Sequence, residues 1–233
     1  MLIILQTMQQ TILKENTINS NYKELCQACG LPNIICICDK VEKISLKNKV
    51  SVIIPYIERH KSSNTGGLVK AVLSNSEVFI RGEKNKLFNP DNVIKNNYQN
   101  LILYTGGREL THEYITSFNK PVNLIVPDGT WTTAPRIVVR EPKFHKIPKV
   151  SLFNPPKSQY KLRKHPNPYY ISTFEAILYS LEIIENNHDL KEKLLCYFLM
   201  KIDNLLWLAG KLPPEKVRGG ISPKAILWKE GKF

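Results

Sequence analysis

Four cysteines, Cys26, Cys29, Cys36 and Cys38, fall within thirteen residues, as Cys-x2-Cys-x6-Cys-x-Cys. Two close pairs of thiolates can each chelate one side of a tetrahedral ion, and zinc suits four sulfurs at about 2.3 Å. Gly30 and Pro32, between the pairs, supply the turn that brings them together. A filled four-cysteine site has no open position for a substrate, so its expected role is to fold or dock a small knuckle. The plain alternative is a set of free buried thiols. The fifth cysteine, Cys196, stands alone in an apolar helical stretch and reads as core packing.

A second reactive group is Asp128-Gly129-Thr130-Trp131, followed by Thr132, Thr133 and Ala134, directly after an apolar run at 122–126. Open α/β sheets bind ligands at the carboxyl ends of their strands. Gly129 permits close backbone approach, Asp128 can accept a proton or hold an ammonium, and the Trp131 indole N–H is a donor. A turn with an Asp cap and a core tryptophan explains the same residues equally well. Tyr104-Thr105-Gly106-Gly107-Arg108 suggests a backbone cradle at another strand end, or simply a tight loop. The stretch from Asn154 to Arg163 follows the last strand, and a loop of that length in a compact domain is usually functional. No Walker-type glycine-lysine loop, no G-x-G-x-x-G and no H-E-x-x-H is present, which removes support for nucleotide hydrolysis, a standard dinucleotide fold and a zinc peptidase. His60, His112, His145, His165 and His188 show no ligand spacing and read as surface or satisfied core histidines.

The elements that must position these groups alternate in type. Short apolar runs at 50–54, 78–81, 101–104, 122–126 and 150–153 read as strands apolar on both faces, the pattern of a parallel sheet covered by helices on two sides. Asn64 and Thr65 are placed to cap a helix to about residue 74, and 110–118 has the pattern of another. Ser172 and Glu175 have capping-box spacing and open an amphipathic helix at 173–185, with Phe174, Ile177, Leu178, Leu181 and Ile184 on one stripe. A long helix at about 189–208 follows, apolar almost all round. Residues 1–22 read as a polar lead-in and 211–233 as a basic, proline-broken tail. The domain reading is 1–45 for the lead-in and knuckle and 46–233 for the larger α/β domain with its C-terminal helices and basic tail.

The chain of 233 residues carries a net charge of +13, from 33 Lys and Arg against 20 Asp and Glu. Such an excess favours a polyanionic partner such as nucleic acid, although solvated surface lysine gives the same total. No apolar run approaches the ~20 residues of a membrane span, and the first residues lack a signal peptide's pattern, so the expected compartment is the cytoplasm.

Taken together, these pieces resemble the DTW-domain family, the tRNA-uridine aminocarboxypropyltransferases related to the knotted SPOUT methyltransferases. The resemblance runs from residue 25 to about 186. It is carried by the cysteine knuckle, Ile57-Glu58-Arg59-His60 with Asn64-Thr65-Gly66, Leu103-Tyr104, Asp128-Gly129-Thr130-Trp131 with Ala134, Pro156-Lys157-Ser158-Gln159-Tyr160 with Arg163, and Ser172-Thr173 with Glu175-Ala176. This chain departs from the pattern at Pro135, which must fall in the first helical turn or delay it, and at Thr105, where proline is expected.

The resemblance implies a knotted, SPOUT-like cofactor site in which the 3-amino-3-carboxypropyl group of S-adenosylmethionine passes to N3 of a tRNA uridine, releasing methylthioadenosine. It makes Asp128, with Thr130 and Trp131, the catalytic motif, Asp128 serving as base or as holder of the cofactor ammonium. It assigns Tyr104, Gly106, Gly107, Gly129, Ala134, Leu152, Ser172 and Thr173 to the cofactor. Arg59, Asn64, Tyr160, Lys161 and Arg163 go to the cofactor carboxylate or to tRNA phosphates, and Cys26, Cys29, Cys36 and Cys38 to structural zinc. Two rivals use the same residues: a knotted RNA methyltransferase, and a noncatalytic RNA-binding protein with a zinc knuckle.

Overall fold

The computed structural model describes residues 24–130, 132–162 and 167–232. The lead-in, Trp131 and Arg163 lie outside them. Among the described residues, five strands form one sheet: β1 (Lys49–Pro55), β2 (Ser76–Arg81), β3 (Gln99–Glu109), β4 (Val122–Pro127) and β5 (Lys149–Ser151). Their order is β2-β1-β4-β3-β5, and every neighbouring pair is parallel.

The period of two along each strand sorts the core onto the sheet's two faces. Val50, Val52, Ile54, Leu101, Leu124 and Val126 point into one apolar cluster, and Ile53, Ile102 and Ile125 into the other. The first face is covered by α1 (Val69–Val72), α2 (His112–Thr116), α5 (Thr173–Glu185) and α6 (His188–Leu208). The second is covered by α3 (Ala134–Arg140) and α4 (Pro142–His145), with Ile137, Val138 and Phe144 in its cluster. The two-sided strands are therefore apolar because both sides are covered. Each fully buried aliphatic side chain contributes about 1.5–3 kcal/mol. Among the described residues, no helix is long and apolar enough to cross a membrane.

The knuckle packs into the larger cluster: Cys29, Leu31 and Ile37 are fully buried beside Phe174 and Phe198. A last helix, α7 (Pro223–Lys229), packs on the short turn Asn33–Ile35.

Several elements differ from the sequence expectation. The helix expected to run from 64 to about 74 is a 3-10 turn, Gly66–Leu68, that passes into the four-residue α1. It stops because Leu73 turns extended and residue 44 bridges to it. The helix expected at 110–118 is α2, with Thr111 as its cap. Strand β3 continues to Glu109, and β5 ends at Ser151, because Leu152 and Phe153 leave the sheet for the cavity described below. Cys196 is exposed, which corrects its reading as core: α6 turns Leu194, Tyr197, Phe198 and Lys201 inward, and residue 196 falls on the outer face. Pro135 sits in the first turn of α3, where a missing N–H costs nothing.

Candidate active site at the carboxyl ends of the strands

Strand β1 leaves the sheet toward β2, whereas its neighbour β4 leaves toward β5 on the other side. Adjacent strands whose connections part in opposite directions leave a crevice beyond their carboxyl ends, the usual ligand site of open α/β sheets. A cavity of about 490 Å³ occupies that position.

Asp128, directly after β4, lies at its floor and is only 4% exposed. Its backbone N–H donates to the Ile53 carbonyl at 2.8 Å, which fixes the turn to β1. Asn64, from the loop after β1, donates its amide to one carboxylate oxygen, and Thr173, the first residue of α5, donates its hydroxyl to the other. Burial pushes the Asp128 pKa up, while the Thr173, Asn64 and Gly129 donors pull it down and the charge of Glu58 adds to the rise; the net direction is upward. Gly66 also belongs to this packing, since a Cβ there would lie 3.2 Å from the Asp128 carboxyl carbon. Gly129 has φ +140°, and a Cβ on it would meet the Thr133 hydroxyl at 2.5 Å, so only glycine fits. The Thr130 hydroxyl is spent on Thr132 and Thr133, at 2.9 and 3.0 Å, which shapes the turn into α3.

The wall from β3 is a bulge. Leu103 and Arg108 both oppose Val150, so the four residues between them loop out. Gly106 supplies the left-handed turn, at φ +82°. Gly107 has a different task, because a Cβ there would lie 2.6 Å from the Lys149 carbonyl carbon.

The wall after β5 is pinned by Glu175. Beyond closing its capping box with the Ser172 N–H at 2.7 Å, it accepts from the Ser158 hydroxyl at 2.9 Å and the Gln159 N–H at 2.6 Å. Tyr160 extends the wall to β1's side, donating its hydroxyl to the Ser63 carbonyl at 3.1 Å while its ring stacks on Phe198.

The cavity thus gathers Asn64 and Tyr160, the bulge residues Tyr104 and Gly106, and Asp128, Gly129, Thr130 and Ala134 from β4's end. Leu152, Ser172 and Thr173 complete the set. Three expected members stand elsewhere. Gly107 packs on β5, Arg59 pairs with Glu83 at 3.3 Å, and Lys161 is exposed outside the lining. Trp131 and Arg163 lie outside the described residues. The sequence reading missed Glu58, Phe153, Tyr169 and Tyr170, which also line the cavity. Glu58 stands beside Arg59 in Ile57-Glu58-Arg59-His60, a signal that could have found it; the aromatic residues carry no periodic signal.

The cysteine cluster forms as its spacing predicts. The Cys26 and Cys38 sulfurs are 3.6 Å apart, those of Cys29 and Cys36 are 3.7 Å apart, and all four lie within 4.8 Å of one another. A tetrahedron with arms of about 2.3 Å has edges of about 3.8 Å, so the cluster could hold a metal ion. Its electrostatics agree. Burial works against the Cys26 thiolate, but the Cys29 and Ala28 N–H groups outweigh it and bring Cys26 down to about 7. Burial and the Cys29 charge push Cys36 up to about 11 and Cys38 higher still. Four thiolates therefore need a cation among them. A cationic side chain stands close by: Lys201, fully buried, donates to the Cys29 carbonyl at 2.7 Å. Burial brings Lys201 down to about 8, against the opposing charges of Cys29, Asp128 and Cys26.

Comparison with known proteins places this geometry in context. No solved structure matches the chain significantly. A fruit-fly (Drosophila melanogaster) protein named tRNA-uridine aminocarboxypropyltransferase 2 is 24% identical over 180 residues, covering 75% of this chain and 72% of the relative. Its namesake from the macaque Macaca fascicularis is 27% identical over 177 residues, covering 73% of this chain and 59% of the relative. That from the mouse Mus musculus is 26% identical over 216 residues, covering 86% and 71%. The model of the DTW domain matches residues 23–206, a span that takes in the cysteine cluster, all five strands and every described residue placed in the cavity, and so the chain belongs to the DTW domain family.

Proposed function

We propose that this protein is a tRNA-uridine aminocarboxypropyltransferase, which transfers the 3-amino-3-carboxypropyl group of S-adenosylmethionine to N3 of a uridine in tRNA and releases methylthioadenosine. Family membership and the names of the relatives support it. The observation that carries it to this chain is the placement of Asp128, the acid of the family's motif. It is buried at the floor of a strand-end cavity and gripped by the loop after β1 and the start of α5. The net charge of +13 suits a tRNA partner.

When bound, S-adenosylmethionine supplies an electrophilic carbon and a sulfonium leaving group. The chain's own residues supply position and polarity. The β3 bulge with Tyr104 and Gly106, the turn of Gly129 and Ala134, and Leu152, Ser172 and Thr173 form the proposed cofactor walls. Both Asp128 oxygens already accept hydrogen bonds, so Asp128 serves best as a fixed negative end. It holds the three loops together and faces the cofactor ammonium. Thr130 shapes the turn into α3, and Trp131 stays in the proposal as a donor to the cofactor. Arg59, Lys161 and Arg163 are proposed phosphate contacts, since phosphate contacts position tRNA without reading bases.

The finer parts of the proposal are a knotted chain path through 152–173, zinc as the ion in the cysteine cluster, and a cytoplasmic setting with reduced thiols. Support comes from described residues on either side of 163–166: Tyr160 donates to the Ser63 carbonyl after β1, and Thr173 donates to Asp128. The knuckle within 1–45 is the docking module of a catalytic domain at 46–233. Purified protein incubated with tRNA and S-adenosylmethionine tests the function. Methylthioadenosine with a modified uridine is the expected product pair. Adenosylhomocysteine instead would mean methyl transfer, and no product would end the proposal.

A further inference from the structure

The proposed transfer makes one demand that Asp128 does not meet. Uridine N3 carries a proton, which must leave as N3 forms its new bond. Among the described residues two carboxylates line the cavity, Asp128 and Glu58. Asp128 is 4% exposed, and both of its oxygens are taken, by Asn64 and Thr173. Asp128 is thus enclosed and committed to holding its loops, and Glu58 is the more open of the two carboxylates.

Glu58 is placed differently. It ends the 3-10 turn Tyr56–Glu58, directly after β1, so its backbone is fixed by the sheet. It lines the cavity, and its side chain is 24% exposed. Its partner is Lys61 at 2.7 Å, whose own side chain is 51% exposed. An ion pair with so exposed a lysine is weak and screened, so Lys61 can turn to a phosphate and free the carboxylate. Glu58 also lies close enough to Asp128 for its charge to act there.

On the reading of function given above, we infer that Glu58 is the general base for the uridine. The N3–H proton passes to the Glu58 carboxylate as the N3 electron pair forms the N3–C bond. The C–S bond breaks, its electron pair leaves on the sulfur of methylthioadenosine, and the proton on Glu58 is lost to water when the product departs. Asp128 keeps the loops, and Glu58 moves the proton.

The test compares Glu58→Gln and Glu58→Ala with the unchanged protein. A positioned base is worth about 10²–10⁴ in rate, so both variants are expected to lose at least about a hundredfold in kcat. The KM for tRNA and the calorimetric affinity for methylthioadenosine should stay within about threefold. Formate, small enough to occupy the space in Glu58→Ala, is expected to restore part of kcat. A kcat for Glu58→Gln within threefold of the parent overturns the inference, as does loss without formate rescue. Weakened methylthioadenosine binding also overturns it, since Glu58 would then be an anchor. If the unchanged protein itself makes no product, the reading of function fails first, a result distinct from any of these.

Discussion

Thr173 donates its hydroxyl to Asp128, tying the first residue of α5 to the end of β4 across 45 positions of sequence. Asn64 holds the same carboxylate from the loop after β1. Three segments far apart in the chain therefore meet on one side chain, and the shape of the cavity depends on it.

Replacing Asp128 separates its two duties. Asp128→Ala leaves the Asn64 amide and the Thr173 hydroxyl buried without a partner, at a cost of about 1–3 kcal/mol. In Asp128→Asn the new amide can accept from Asn64 and donate to Thr173, so stability by urea unfolding should remain within about 1 kcal/mol of the parent. Transfer to tRNA should fall by about a hundredfold in both, because the fixed negative charge is gone. An Asn variant with full activity would remove the charge from the mechanism.

Burial raises the Asp128 pKa above its ordinary 3.8, which means that the folded state holds this proton more tightly than the unfolded chain. For such a group stability falls as pH climbs from about 3.8 toward the raised value, and the loss is complete above it. The Tm of Asp128→Asn minus that of the parent should therefore rise with pH across that window and then level off. A difference that falls with pH would reverse the assignment.

The cysteine cluster gives a stoichiometric expectation. Protein as purified should carry one zinc per chain by elemental analysis, and only the exposed Cys196 should react quickly with a thiol reagent. A strong chelator should release the metal, raise the reactive count to five and lower the Tm, because binding free energy at such a site is folding free energy. Five fast thiols and no metal at the outset would leave the knuckle as plain packing.

Gly107 and Gly106 differ in what they tolerate. An alanine at 107 would drive its Cβ to 2.6 Å from the Lys149 backbone, which has no flexible end to move aside. The expected cost is about 1–3 kcal/mol, with β5 displaced. At 106 a Cβ meets nothing within 4 Å, and the penalty is that of the left-handed backbone alone, about 1–2 kcal/mol. Thermal unfolding of the two variants should rank them in that order.

The sheet was legible because each strand is an apolar run broken by turn residues, and the capping box at Ser172 and Glu175 fixed the start of α5 to the residue. The cysteine cluster was legible because its ligands are close in sequence. What could not be read was how side chains are spent across long separations. Glu175 looks like a cap, and it is one, but its second use, pinning Ser158 and Gln159, needs the fold. Gly107 looks like a cradle and is a spacer against β5. Asp128 announces chemistry by type, yet only its two donors reveal that its oxygens are already engaged. Cys196 followed the mean character of its helix, while burial follows the face.

Lys201 and the apolar residues around Cys29 make the knuckle part of the same interior that carries α5, rather than an ornament beside it. A chain shortened to begin at residue 46 would strip Cys29, Leu31 and Ile37 from the cluster that holds Phe174 and Phe198 and leave the Lys201 ammonium without the carbonyl it holds. Such a truncation is expected to precipitate instead of yielding a leaner protein.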